Sequence, residues 1–158
     1  MQRTRRKSAK QVQTRRRKNN PKTLALDVTK KWIYNVTKEK DPSIVYKMFA
    51  SNAVLVGTVA HVPRKGKDIY RYFEYFCALP KLKVIERKDY VQNLTNNKRG
   101  DNIIVNTTVM KWDWDGLENP INARMTFIFK GPEIVQLHSS AFPEKPKALK
   151  KAQNDIYD

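Results

Sequence analysis

Two histidines, fifteen carboxylates and one cysteine are the groups of this 158-residue chain most suited to chemistry. His138 lies in Ile134-Val135-Gln136-Leu137-His138-Ser139-Ser140-Ala141-Phe142-Pro143, a segment that follows a Gly131-Pro132 turn and stops at a proline. Apolar and polar residues alternate there in part, with Val135 and Leu137 on one face and Gln136, His138 and Ser140 on the other. Such a strand can bury one face while the second lines a polar cavity. The segment before it, Ala123–Phe129, is expected to pair with it as a hairpin, and it adds Arg124. His138, Gln136, Ser140 and Arg124 are therefore the candidate pocket-lining residues, suited to hydrogen bonding with a small polar or anionic ligand. The plainer alternative makes His138 a satisfied buried histidine and Arg124 an ion-paired strand residue.

Other chemistries have less to stand on. His61 and His138 have no carboxylate cluster beside them in sequence, so no metal site is expected. The lone Cys77 excludes an internal disulfide and a cysteine-based zinc site, which suits a reducing compartment. The five glycines include no phosphate-binding loop. Residues 102–112 and 121–130 contain neither Asp nor Glu; Asp101 and Asp113 stand at turns, and Glu133 is expected to face solvent. An acid–base enzyme would have to use His138 alone or a helix acid such as Asp27. No catalytic residue and no cofactor is assigned.

The elements that must position these residues follow from periodicity. Pro21 suits the first turn of a helix in which Leu24, Ala25, Val28, Trp32 and Val36 recur at helical spacing to about Lys38. Asp41-Pro42 opens a short second helix with Ile44, Val45, Met48 and Phe49 as its apolar stripe. Ala53–Val59 reads as a buried strand and His61–Gly66 as a loop. A third helix carries Ile69, Tyr72, Phe73 and Phe76 and ends near Leu79-Pro80. Beyond it the period changes to strands: Leu82–Ile85 with Tyr90–Thr95 as one bent strand, a turn at 96–101, Asn102–Trp112, a loop to Pro120, Ile121–Lys130 and Glu133–Ser140. Two helices, a strand, a helix and then four antiparallel strands argue an α+β fold. A strongly curved sheet wrapped on the first helix would leave a conical hollow. Residues 103–112 are substantially apolar on both faces, so the sheet face away from the helices needs a partner, and a homo-oligomer or larger assembly is expected. Trp112-Asp113-Trp114 is read as a hydrophobic rim or dimer contact, with base stacking as the alternative.

Charge divides the chain. The net charge is +17, yet residues 1–22 hold ten Lys/Arg and no acid, which leaves 22 of the 32 basic residues against all 15 acids for the remainder. With few apolar side chains, residues 1–20 cannot offset the entropy of ordering themselves, so they are expected to be disordered until bound. Arg3, Arg5, Arg6, Lys7, Lys10, Arg15, Arg16, Arg17 and Lys18 are the candidate contacts to nucleic acid or another polyanion. The same arm could instead be a nuclear import signal or an organelle transit peptide. Nothing approaches the roughly 18 apolar residues of a membrane span, and the N-terminus lacks a signal-peptide apolar core. The expected setting is intracellular: nucleus, organelle or virus particle. The division is a basic arm at 1–22, a domain at 23–143 and a charged tail at 144–158.

Four stretches resemble a known family. They are Met48-Phe49-Ala50-Ser51-Asn52-Ala53-Val54-Leu55, Ile69-Tyr70-Arg71-Tyr72-Phe73, Ala123-Arg124-Met125-Thr126-Phe127 and the final strand from Ile134 to Pro143. Together they look like the cystatin-like cone of nuclear transport factor 2-like proteins, which include ketosteroid isomerases and SnoaL-like cyclases. The nearer likeness is to the association domain of calcium/calmodulin-dependent protein kinase type II. The resemblance implies helices packed on a strongly curved, mainly antiparallel sheet, and often self-association. Two departures bear on function. Relatives often carry a His-x-His or His-His pair in the last strand, where this chain has Gln136-Leu137-His138. The kinase domain has an arginine just after that histidine, where Ser139 stands. Together with the apolar sheet face and the basic arm, which lies outside the resemblance, the expected function is a non-catalytic interaction or scaffold module with the arm on a polyanion, by analogy with components of virions or ribonucleoprotein particles. The alternative is a SnoaL-like binder or enzyme using the pocket around His138.

Overall fold

The computed structural model describes residues 20–58, 62–94 and 102–142. The arm residues Arg3 to Lys18, His61, the turn at 96–101 and the tail at 144–158 lie outside the described residues.

Helix α1 (Pro21–Tyr34) starts as its sequence requires: the Asn20 side chain accepts from the Lys22 N–H at 3.0 Å and Pro21 occupies the first turn. Its buried face is Ala25, Val28, Thr29 and Trp32. The helix runs on to Glu39, but residues Asn35–Glu39 are π-helical rather than the ordinary helix expected to Lys38. This segment buries three consecutive residues, Asn35, Val36 and Thr37. Lys40, in the left-handed region at φ 52°, ends it and donates from Nζ to the Leu79 carbonyl at 2.7 Å. Helix α2 (Pro42–Tyr46) is capped by Asp41, whose carboxylate accepts from the Ser43 and Ile44 N–H groups.

Strand β1 (Phe49–Val56) precedes helix α3 (Lys67–Ala78), which buries Ile69, Phe73 and Cys77 at i, i+4 and i+8. Strands β2 (Lys83–Asn93), β3 (Ile103–Asp113), β4 (Ile121–Lys130) and β5 (Glu133–Phe142) form an antiparallel meander. The sheet order is β1-β5-β4-β3-β2, with β1 parallel to β5. The last strand is therefore interior, paired on both sides. The register shifts at three places, one of them in β1 between Phe49 and Val54, and bulges in β2 and β5 bend the sheet. In β2, Val84 pairs with Trp112 and Glu86 with Lys111, so Ile85 is the extra residue and the bent strand has a defined cause. In β5, Gln136 pairs with Ile128 and Ile134 with Phe129, so Val135 is the extra residue.

One face of the sheet packs on the helices. Trp32 is wholly buried at its centre and meets Phe73, Trp112 and Phe127 edge-on at centroid distances of 5.9, 6.2 and 5.2 Å. A polar ladder closes one part of this layer. Asn106 Nδ2 donates to Thr29 Oγ1 at 3.0 Å and to Asp89 Oδ1 at 3.1 Å, and Thr29 donates on to the Ala25 carbonyl at 2.9 Å. Arg87 holds the other Asp89 oxygen at 2.6 Å, with both side chains 17% exposed. The ladder ties α1 to β2 and β3.

Candidate ligand cavity

Where α1, α3 and the sheet diverge, a cavity of about 200 Å³ remains. Trp32 lines it from α1, Tyr72, Phe73 and Phe76 from α3, and Trp112 and Trp114 from the end of β3. The sheet adds Leu55, Ala123, Met125, Leu137, Ser139 and Ala141. Small residues at 123, 139 and 141 opposite large aromatic rings leave the space open. Trp112 and Trp114, read from sequence as a hydrophobic rim or dimer contact, line the cavity.

Its polar edge is made by three hydroxyls. Thr58 Oγ1 and Ser139 Oγ lie 2.7 Å apart. The backbone and side chain of Thr58 hydrogen-bond the Tyr72 phenol. Burial raises the Tyr72 phenol above its ordinary range, and these hydrogen bonds with the nearby Arg64 charge offset part of the rise. The Arg64 guanidinium stacks over the Tyr72 ring at 5.0 Å. Gly57 permits this packing, because a Cβ there would lie 2.6 Å from Tyr72 Cε2. The indole N–H of Trp32 and one guanidinium nitrogen of Arg64, Nη1, are buried without a hydrogen-bond partner among the described residues.

The four residues expected to line the pocket lie elsewhere. The alternation in β5 is as read from Gln136 onward, whereas the bulge at Val135 puts Ile134 rather than Val135 on the buried face with Leu137. The cavity receives Leu137, Ser139 and Ala141, and the opposite face carries Gln136, His138 and Ser140. Gln136, His138 and Arg124 are exposed and Ser140 is half-buried. The structure does bring them together: Arg124 pairs with Ser140 and Thr126 with His138 in the β4–β5 register, all on the outer face. The reason is solvation. The described helices cover one side, and the apolar face of β5 takes that side while its imidazole and amide are exposed on the other. The same outward placement holds for Glu133 and Asp27, both exposed.

Among the described residues lining the cavity there is no carboxylate, imidazole, amine or thiol. Asp89, an interior acid that the sequence did not flag, is held in its ladder and does not line the space. Cys77 is buried 2% exposed beneath α3, and desolvation pushes its thiol up to about 11. No group of three or more His, Cys, Asp or Glu residues able to hold a metal occurs among the described residues. The wall can therefore bind an apolar body and hydrogen-bond one polar group.

A helix-backed, five-stranded curved sheet with such a hollow is a cystatin-like cone. A cystatin-like domain from Nostoc punctiforme superposes with a TM-score of 0.63 at 12% identity, over 89% of this chain and 87% of that one. A nuclear transport factor 2-like protein of unknown function from Pseudomonas putida gives 0.63 at 15%, over 80% and 89%. A protein from Xanthomonas campestris described as a calcium/calmodulin-dependent protein kinase II association domain gives 0.57 at 26%, over 77% and 87%. No protein-family model matches the sequence, and no curated protein matches it. The chain shares the cystatin-like fold of nuclear transport factor 2-like proteins. No helix among the described residues is long and apolar enough to cross a membrane.

Proposed function

We propose that this chain is a non-catalytic interaction module that self-associates through the outer face of its sheet, with the basic arm contacting nucleic acid or another polyanion. The observation that carries the non-catalytic part is the cone lining, which holds hydroxyls and aromatic rings but no acid, base or thiol among the described residues. The outer sheet face supports self-association. Val109 and Tyr90 are 36% and 50% exposed there, beside half-buried Ile103, Val105, Thr107 and Ile128. His138, Gln136, Ser140 and Arg124 form the polar half of the same face. Four strands of this length present a surface of about 35 by 19 Å, close to the ~800 Å² per partner of a stable interface. The Xanthomonas relative's description as an association domain points the same way.

Sedimentation equilibrium tests this part. Wild-type chain is expected to sediment above its 18.5 kDa monomer mass. Val109→Asp, which places a charge at the centre of the face, returns it to monomer with the circular dichroism spectrum kept. A wild-type monomer, or an oligomer indifferent to Val109→Asp, removes the proposal.

A second reading is favoured by one observation, the cavity itself. A space of about 200 Å³ lined by aromatic rings exceeds the roughly 150 Å³ at which an apolar cavity already takes up benzene. In this reading the cone is a binding site for a small, largely apolar molecule.

A further inference from the structure

One guanidinium nitrogen of Arg64 has no hydrogen-bond partner among the described residues. Arg64 sits between β1 and α3 with its main chain fixed: its N–H donates to the Leu55 carbonyl at 2.8 Å, and its carbonyl accepts from the Leu55 N–H at 3.0 Å. The guanidinium is held over the Tyr72 ring, and Nη1 is buried with no acceptor among the described residues. A buried, charged N–H without an acceptor carries its full desolvation cost, so an oxygen supplied from outside the described residues would stabilise the site. The neighbouring acid is already engaged, because Asp68 pairs with Arg71 at 3.1 Å.

Arg64 faces a groove formed with Val62, Pro63, Asp68, Arg71, Tyr72 and Tyr75. Tyr72 and Tyr75 also line the cone cavity, so groove and cavity share a wall. An elongated ligand can lay its apolar body among Trp32, Trp112 and Phe76 and carry a head group past Tyr72. On the cavity side of Tyr72, the Thr58–Ser139 hydroxyl pair can hydrogen-bond a neutral or charged oxygen. On the groove side the planar guanidinium fork matches a carboxylate. Asp68 in the same groove balances Arg71, leaving about one net positive charge, which suits a monoanion better than a dianionic phosphate.

We propose that Arg64 receives the carboxylate of a small aromatic acid whose ring occupies the cone cavity. The inference rests on the reading of the cone as a ligand cavity.

The test is isothermal titration calorimetry of the full chain with two matched probes, hydrocinnamate and the uncharged hydrocinnamyl alcohol. The acid is expected to bind at least about tenfold more tightly, the scale of a charge-assisted contact. Arg64→Met and, as a second variant, Arg64→Gln bring the acid to the affinity of the alcohol and leave alcohol binding unchanged. Lys67→Met removes the same charge from an exposed neighbouring position and keeps the preference. Ala141→Trp fills the cavity and abolishes binding of both probes. Equal affinity of acid and alcohol for the wild type, or equal effects of Arg64→Met and Lys67→Met, overturns the assignment to Arg64 and leaves the cavity reading standing. Failure of both probes to bind the wild type, or acid binding that survives Ala141→Trp, removes the cavity reading and the inference with it.

Discussion

Gly57→Ala is expected to destabilise the protein through a single neighbour. The φ of Gly57 is outside the left-handed region, so its backbone accepts an alanine, and the obstacle is steric. A Cβ there would lie 2.6, 2.9 and 3.1 Å from Cε2, Cζ and Oη of Tyr72. Carbon atoms pack best at about 3.5–4.0 Å, so the ring would have to retreat by roughly 1 Å. It cannot do so freely. Tyr72 packs edge-on against Phe73 at 5.2 Å and stacks on Phe76 at 5.9 Å, with Arg64 over its ring. Overpacking of this kind costs about 1–3 kcal/mol. In a Tyr72→Ala background the obstacle is gone, and the alanine should be neutral or stabilise by about 0.4–1 kcal/mol through the unfolded chain. Urea unfolding of the wild type, both single variants and the double variant gives the coupling, expected at about 2 kcal/mol or more with unchanged denaturant slopes. Equal costs of Gly57→Ala in the two backgrounds would refute the reasoning.

Two further perturbations address the interior. Asp89→Asn leaves Arg87 facing a neutral amide and disturbs the link from Asn106 to Thr29; an expected loss of about 2–4 kcal/mol in urea unfolding follows from breaking a largely buried pair, and a loss under 0.5 kcal/mol would remove the ladder's structural role. Cys77 gives a pH signature. Its folded thiol titrates at about 11 against an ordinary 9.0, chiefly from desolvation, so the unfolded chain releases its proton first. The stability linked to it is present below pH 9 and is lost as pH rises from 9 to 11, by about 2–3 kcal/mol in all. Cys77→Ala should flatten that part of the decline, leaving the contribution of Tyr72, whose phenol is also raised.

Much of the architecture was legible because its signals are local. The stripes of Ala25, Val28 and Trp32 and of Ile69, Phe73 and Phe76, the caps at Asn20 and Asp41, and the period-two pattern of 103–112 each specify an element within a few residues. The cavity was less so. Alternation in β5 separates Leu137 and Ser139 from Gln136 and His138, but it does not say which set the helices cover. Solvation decides that, and the polar set went outward. The parallel pairing of β1 with β5 joins segments about 80 residues apart with no turn between them to announce it, as in Val56 opposite His138. Thr58, Ser139, Tyr72 and Arg64 meet only through that pairing and the packing of α3, so no spacing in the sequence links them. Asp89 sits in Glu86-Arg87-Lys88-Asp89, a run that reads as a solvated face, and only the buried Asn106 on the neighbouring strand gives it an interior partner.

The central claim, a scaffold cone with a polyanion-binding arm, is tested most directly by titrating salt against nucleic-acid binding. Full-length chain and a chain of residues 23–158 would be bound to the same labelled duplex, with oligomer mass followed in parallel. The arm holds ten Lys/Arg, so its full engagement gives a log–log salt slope of about −9. The account expects a steep slope for the full chain, a much shallower one and far weaker binding for residues 23–158, and the same oligomer mass for both. Indistinguishable slopes and affinities for the two chains would contradict it.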